Sequence, residues 1–171
     1  MNYITRVISI KKEGILFFVQ FIALFAISVV VPFFIHQQAI TGPIVNAILF
    51  ISVSLLGTQS AILIGLLPSL VALSSGLLPV ALAPMVPFIM VGNAILVLVF
   101  SRLKVKNFWL AILSACFLKF LFLFASSSVV IHLVSQSSIA KQVALAMSWP
   151  QFVTAFAGGV MAYLFLYKKM K

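Results

Sequence analysis

The chain has 171 residues, 64% of them hydrophobic and 7% charged, with a mean hydropathy of +1.32. A soluble globular domain carries about a quarter charged residues, so this composition excludes one and predicts an integral membrane protein. The formal charge of +10 comes from 11 Lys and Arg against a single acid. These cations sit at the ends of apolar runs and not on a soluble face, so no nucleic-acid partner is expected. At about 20 residues per span the length allows roughly five to seven helices, a single membrane domain over residues 1–171.

Residues 1–13 set Ile4, Val7 and Ile8 apart from Arg6, Lys11 and Lys12, the pattern of a basic interfacial segment, with a frayed basic tail as the alternative. The apolar run from Gly14 to Ile35 is about 22 residues, too long for the roughly 7 to 15 of a signal-peptide core, and no small-x-small site follows it. It predicts a retained first helix that ends near Pro32, followed by a polar loop with His36, Gln37, Gln38 and Thr41. From Gly42 to Asn93 there is no Lys, Arg, Asp, Glu or His, yet Gly and Pro interrupt the sequence repeatedly. Irregular backbone at membrane depth persists only where protein or a wet cavity satisfies it, so the chain is expected to be built around such a cavity.

Pro43 to Ser75 is too long for one span and short for two. Nine cations fall in three groups, Arg6, Lys11 and Lys12, then Arg102, Lys104 and Lys106, then Lys168, Lys169 and Lys171. The positive-inside rule places all three groups in the cytoplasm, which requires an even number of helices between the first and the second. Splitting the run at Gly57-Thr58-Gln59-Ser60 supplies that number: a short second helix over Pro43 to Leu56 and a third over Gln59 to Leu73. Ser74, Ser75, Gly76 and Pro79 then form an outer turn. The fourth helix is predicted over Ala83 to Phe100, with Pro84 and Pro87 in its first turns. The fifth covers Phe108 to Ile131, an outer loop holds His132, Gln136 and Lys141, and the sixth covers Trp149 to Tyr167. Trp109, Trp149, Tyr163 and Tyr167 fall near helix ends, as an aromatic belt does. The predicted fold is an all-α integral membrane protein of six transmembrane helices, both termini cytoplasmic, in the plasma membrane.

Lys119, near the middle of the fifth helix, is the strongest chemical signal. A cation at that depth costs about 2.5 to 3.5 kcal/mol, and the only acid in the chain, Glu13, precedes the first span. One reading is that Lys119 faces a cavity and neutralises a carboxylate or phosphate on a ligand; the other is that it snorkels or bonds to backbone carbonyls. Asn46, Asn93, Ser126, Gln151 and Trp149 are the further candidate substrate-binding residues, Asn93 being also suited to hold helices together. Two faces of small residues stand out. Gly57, Ala61, Gly65, Ser69, Ala72 and Gly76 line one side of the third helix, and Gln151, Thr154, Ala155, Gly158 and Ala162 one side of the sixth. Packing within the chain and docking onto another subunit are the two uses of such faces. There is no acid within the spans for proton or sodium coupling, no HExxH, CxxC, Walker A or GxGxxG motif, and no His with an acid beside it. No enzyme, metal site or cofactor is expected, and the chain carries no energy source of its own. The single cysteine, Cys116, reads as core packing.

Gly42-Pro43-Ile44-Val45-Asn46, Gly65-Leu66-Leu67-Pro68 and the block from Pro84-Met85-Val86-Pro87-Phe88 to Gly92-Asn93, together with length, basic character and six-helix topology, resemble the substrate-binding (S) components of energy-coupling factor (ECF) transporters. The resemblance implies a subunit that binds a vitamin-like or other small molecule and topples in the bilayer when docked on a transmembrane T component driven by two cytosolic ATPase subunits. It implies an outward pocket near His36 to Thr41, Ser74 to Pro79 and the outer ends of helices four to six. The family docks through an Ala-x-x-x-Ala face on its first helix; here Ala23 and Ala26 are three apart, so docking is expected on Ala23, Ala26, Gly57, Ala61 and Gly65. The His-rich N-terminus of the metal-specific branch is missing, so nickel or cobalt is not expected. The alternatives are an accessory or assembly subunit without its own ligand, and a self-contained small permease.

Overall fold

The computed structural model describes residues 3–35, 37–74, 80–133 and 143–170, and every regular element among them is helical. Six helices follow one another: α1 Tyr3–Phe34, α2 Gln38–Leu55, α3 Thr58–Ser74, α4 Val86–Leu103, α5 Phe108–Leu133 and α6 Trp149–Met170, with a 3₁₀ turn, Val80–Met85, before α4. Five stretches are long and apolar enough to cross a membrane: Lys12–Phe34, Gln38–Leu55, Ala83–Leu103, Phe108–His132 and Val143–Tyr167. The chain is thus a multi-pass all-α membrane protein. The apolar part of α3, Thr58–Val71, is shorter than these five.

The break between α2 and α3 falls where the charge parity placed it. Gly57 has φ +85°, a left-handed conformation that strains any residue with a Cβ, and it ends α2 after Leu56. The start of α2 differs from expectation. The helix opens at Gln38, so Gly42 and Pro43 lie inside it and not at its entrance. Pro43 withdraws the N–H that Ala39 O would accept, and Ala39 is exposed at the helix end, where the loss is least costly. Residues 3–13 are helical and continue into the first span without interruption. Pro84 belongs to the 3₁₀ turn, and Pro87 takes the second position of α4. His36, the outer turn at 75–79 and the loop over 134–142, with Gln136 and Lys141, lie outside the described residues.

Pair contacts fix the helix directions. Thr58 Oγ1 lies 2.5 Å from Ser101 Oγ, and Asn93 Nδ2 donates to Gly65 O at 2.9 Å, so α3 and α4 are antiparallel. Gly92 meets Leu123 while the rings of Phe100 and Phe108 are 5.3 Å apart, which makes α4 and α5 antiparallel too. Gly159 against Ile112 and Phe152 against Phe120 do the same for α5 and α6. Gly42 faces Thr154 and Asn46 faces Gly158, so α2 and α6 run parallel. Lys104 Nζ donates to Val53 O at 2.9 Å and ties the end of α4 to the end of α2. The basic end of α4, the start of α5 and the end of α6 therefore share one end of the bundle. There the rings of Trp109 and Tyr163 sit 4.7 Å apart, and Tyr167 lies tilted against Tyr163 at 5.6 Å.

Apolar burial does not drive helices together in lipid, because the tails are as apolar as the side chains; close packing and interhelical hydrogen bonds must do it. The main core follows that rule. Phe50 and Phe100 meet edge to face at 4.7 Å among Leu49, Ile64, Leu96 and Ile112, all fully buried. A second, smaller cluster of Met85, Leu123, Val130, Val143 and Met147 lies towards the opposite end. α1 touches only α2 and α3 substantially and shows most of its apolar surface to the outside.

Candidate functional site: a buried lysine held by two asparagines

α5 carries Lys119 into the bundle interior, where it is 4% exposed. It neither snorkels nor reaches a backbone carbonyl. Its Nζ donates to Asn46 Oδ1 of α2 at 2.6 Å and to Asn93 Oδ1 of α4 at 2.8 Å. Each amide is oriented from behind: Asn46 Nδ2 donates to Gly42 O at 2.8 Å, and Asn93 Nδ2 to Gly65 O at 2.9 Å. With both amide nitrogens committed to carbonyls, both amide oxygens must face the lysine. The chain Gly42–Asn46–Lys119–Asn93–Gly65 thus joins α2, α5, α4 and α3 through one set of hydrogen bonds.

Small residues make this convergence possible. Gly65 admits Asn93 because a Cβ there would stand 3.3 Å from Asn93 Cβ and 3.1 Å from a Leu49 methyl. Gly158 of α6 lies so close to α2 that a Cβ would meet Pro43 O at 2.6 Å, Asn46 Cβ at 2.7 Å and Ala47 N at 2.8 Å. Only glycine permits that approach, and it presses the backbone of α6 against the turn that carries Asn46. Pro68, one turn beyond Gly65, lacks the N–H that Ile64 O would otherwise accept, so the α3 ladder is already loosened beside the carbonyl that Asn93 caps.

The remaining candidates separate from this centre. Ser126, seven residues further along α5, is buried but turns its hydroxyl back to Phe122 O at 2.7 Å. Gln151 Nε2 donates to Ala146 O at 3.1 Å, and Thr154 Oγ1 to Pro150 O at 2.8 Å. Trp149 is 68% exposed and lines a cleft of about 320 Å³ with Gln38, Pro43, Pro150, Val153 and Thr154 between the first turns of α2 and α6. The cleft lies at the end away from the basic groups, and the Gly42–Thr154 and Gly158–Pro43 contacts separate it from Asn46. Thr154 and Pro43 line it, and the small-residue spacing on the sixth helix was the signal that marked Thr154.

The proposed docking residues fare differently from one another. Ala23 and Ala26 are exposed on α1, and Gly57 is exposed at its turn. Ala61 is fully buried and Gly65 is covered by Leu49 and Asn93, so that part of the α3 face is consumed by packing within the chain and is not open to a second subunit.

Charge is unbalanced at the centre. Glu13, the chain's one acid, is exposed near the start of the first span, so no carboxylate faces Lys119. Outside the spans, burial holds the Lys104 ammonium below its usual pKa, while its contact with Val53 O keeps it at the end of α2. Among the described residues no group of His, Cys, Asp and Glu is suited to a metal, and Ser52 Oγ is the one buried polar side-chain atom without a hydrogen bond. No protein-family model, curated protein or solved structure matches the chain.

Proposed function

We propose that the chain is a membrane-embedded substrate-binding subunit of an ATP-driven uptake transporter of the ECF type, an S component for a vitamin-like or anionic small molecule. In this reading six helices cross the plasma membrane, α3 being the shortest, and both termini lie in the cytoplasm with the basic end of the bundle. The observation that carries the reading is Lys119, a buried cation held by two neutral amides with no carboxylate to balance it. A cation at that depth is costly and is read as a functional residue by default. The lack of any internal energy source fits a subunit that works on a T component with two cytosolic ATPase subunits. The solute enters from the end opposite to the basic residues.

Mild-detergent purification of the tagged chain from its native cells, with mass spectrometry of whatever accompanies it, tests this. Co-purifying T and ATPase subunits or a stoichiometric small molecule are expected. A ligand-free chain with neither refutes the reading in favour of an accessory subunit.

A further inference from the structure

The cleft between the first turns of α2 and α6 offers walls, a rim and hydrogen-bonding groups that the bundle itself does not use. At about 320 Å³ it stands at the small end of ligand pockets, which run from about 300 to 1,000 Å³. Pro43, Pro150, Val153 and Ala157 make its walls, with the exposed Trp149 at its rim. Two proline rings cannot swing away as flexible side chains do, so the walls are set before a ligand arrives. No residue that lines the cleft carries a charge. A carboxylate, phosphate or ammonium would give up water there for no counter-charge, which leaves uncharged molecules.

The polar groups are few. Thr154 Oγ1 is spent on Pro150 O. Gln38 is exposed, and among the described residues nothing bonds to its side-chain amide. Pro43 denies Ala39 O its helical N–H, and both residues line the cleft, so that carbonyl is open to it. Pro150 leaves Ala146 O in the same position, and there Gln151 Nε2 supplies the missing donor at 3.1 Å. No side chain among the described residues does this for Ala39 O. A lipid tail would fill the walls and answer neither polar group. A ligand that completes the set presents an N–H to Ala39 O, a donor and acceptor pair to Gln38, and a flat apolar body to Trp149 and the prolines.

Resting on the solute-binding reading above, in its vitamin-like form, we propose that the cleft is the seat of a small uncharged ring compound bearing a carboxamide or an equivalent cyclic amide. Lys119 lies beyond the Gly158–Pro43 contact and takes no part in holding it.

The full chain in detergent is dialysed to equilibrium against benzamide and nicotinamide, with empty micelles as the blank. Benzoate, benzylamine and N,N-dimethylbenzamide are the controls; the last keeps the ring and the carbonyl and loses the N–H. Benzamide or nicotinamide is expected to bind at least about tenfold more tightly than every control. Gln38→Leu removes the amide, and Val153→Trp fills the cleft from an exposed position. Each is expected to weaken binding at least about tenfold without lowering the melting midpoint of the ligand-free chain. A control that binds as tightly as the amides, no binding of either amide above the micelle blank, or an affinity that survives either variant overturns the proposal. Co-purification of T and ATPase subunits judges the S-component reading separately: a chain that brings them along but binds no amide keeps that reading and loses this one.

Discussion

Replacing Gly158 with alanine tests whether the contact between α2 and α6 holds the polar centre together. The added Cβ would lie 2.6 Å from Pro43 O and 2.8 Å from Ala47 N, both backbone atoms that no rotamer change can move. Restoring an ordinary separation of about 3.4 Å to Pro43 O means parting the helices by about 0.8 Å. Overpacking of this kind costs roughly 1 to 3 kcal/mol, and the backbone location puts Gly158→Ala in the upper half of that range. At about 2 to 4 °C per kcal/mol for a chain of this size, the melting midpoint should fall by about 4 to 12 °C. The same displacement draws Asn46 away from Lys119, whose 2.6 Å hydrogen bond has little slack. Fluorescence-detected size exclusion after heating reads the midpoint in unpurified detergent extracts. Gly14→Ala is the control, since nothing lies within 4 Å of a Cβ there, and helix propensity makes it neutral or stabilising by up to about 1 kcal/mol. Were Gly158→Ala to melt with the parent chain, the close approach of α2 and α6 would be refuted, and with it the account of how Asn46 is aimed.

Two further outcomes follow from the same geometry. Lys119→Met orphans two buried amide oxygens, at about 1 to 3 kcal/mol for each unsatisfied group, so it should melt below the parent chain. Adding Asn46→Leu and Asn93→Leu should recover part of the loss, a non-additivity that a cycle of melting midpoints measures. For Lys104, burial lowers the folded-state pKa below its ordinary 10.5. The unfolded chain then holds more protons in the window between the two values, so stability rises with pH across it. Lys104→Met should flatten that rise, and melting scans carried up to pH 10.5 will show whether it does.

Much of the helix order was legible because it rests on short-range signals. Gly57 is a stop that any reading of turn chemistry finds, and the three cation groups called for an extra helix before Arg102, which α3 supplies. The start of α2 was not legible. Gly42-Pro43 has the local character of an entrance, and only the exposed position of Ala39 at the helix end lets a proline sit one turn inside. At the centre, Lys119, Asn46 and Asn93 each stood out as polar groups in apolar surroundings, but their union did not. The lysine is 73 residues from one partner and 26 from the other, and no periodicity within a helix reports which neighbours a bundle will bring to it. Ala61 and Gly65 show the converse: small-residue spacing marks a close approach without saying whether the visitor is α2 or another subunit.

The parallel pairing of α2 and α6 also orders the protein in time. A ribosome delivers α2 well before α6, yet it is Gly158 of α6 that lies against the backbone around Pro43 and Ala47. Until α6 leaves the insertion machinery, the lysine and both asparagines can meet, but the wall behind Asn46 is missing. Until then the nascent bundle holds a costly cation beside a face that Trp149–Met170 later covers. A chain arrested before α6 therefore has Lys119, Asn46 and Asn93 within reach of one another but lacks the Gly158 contact behind Asn46.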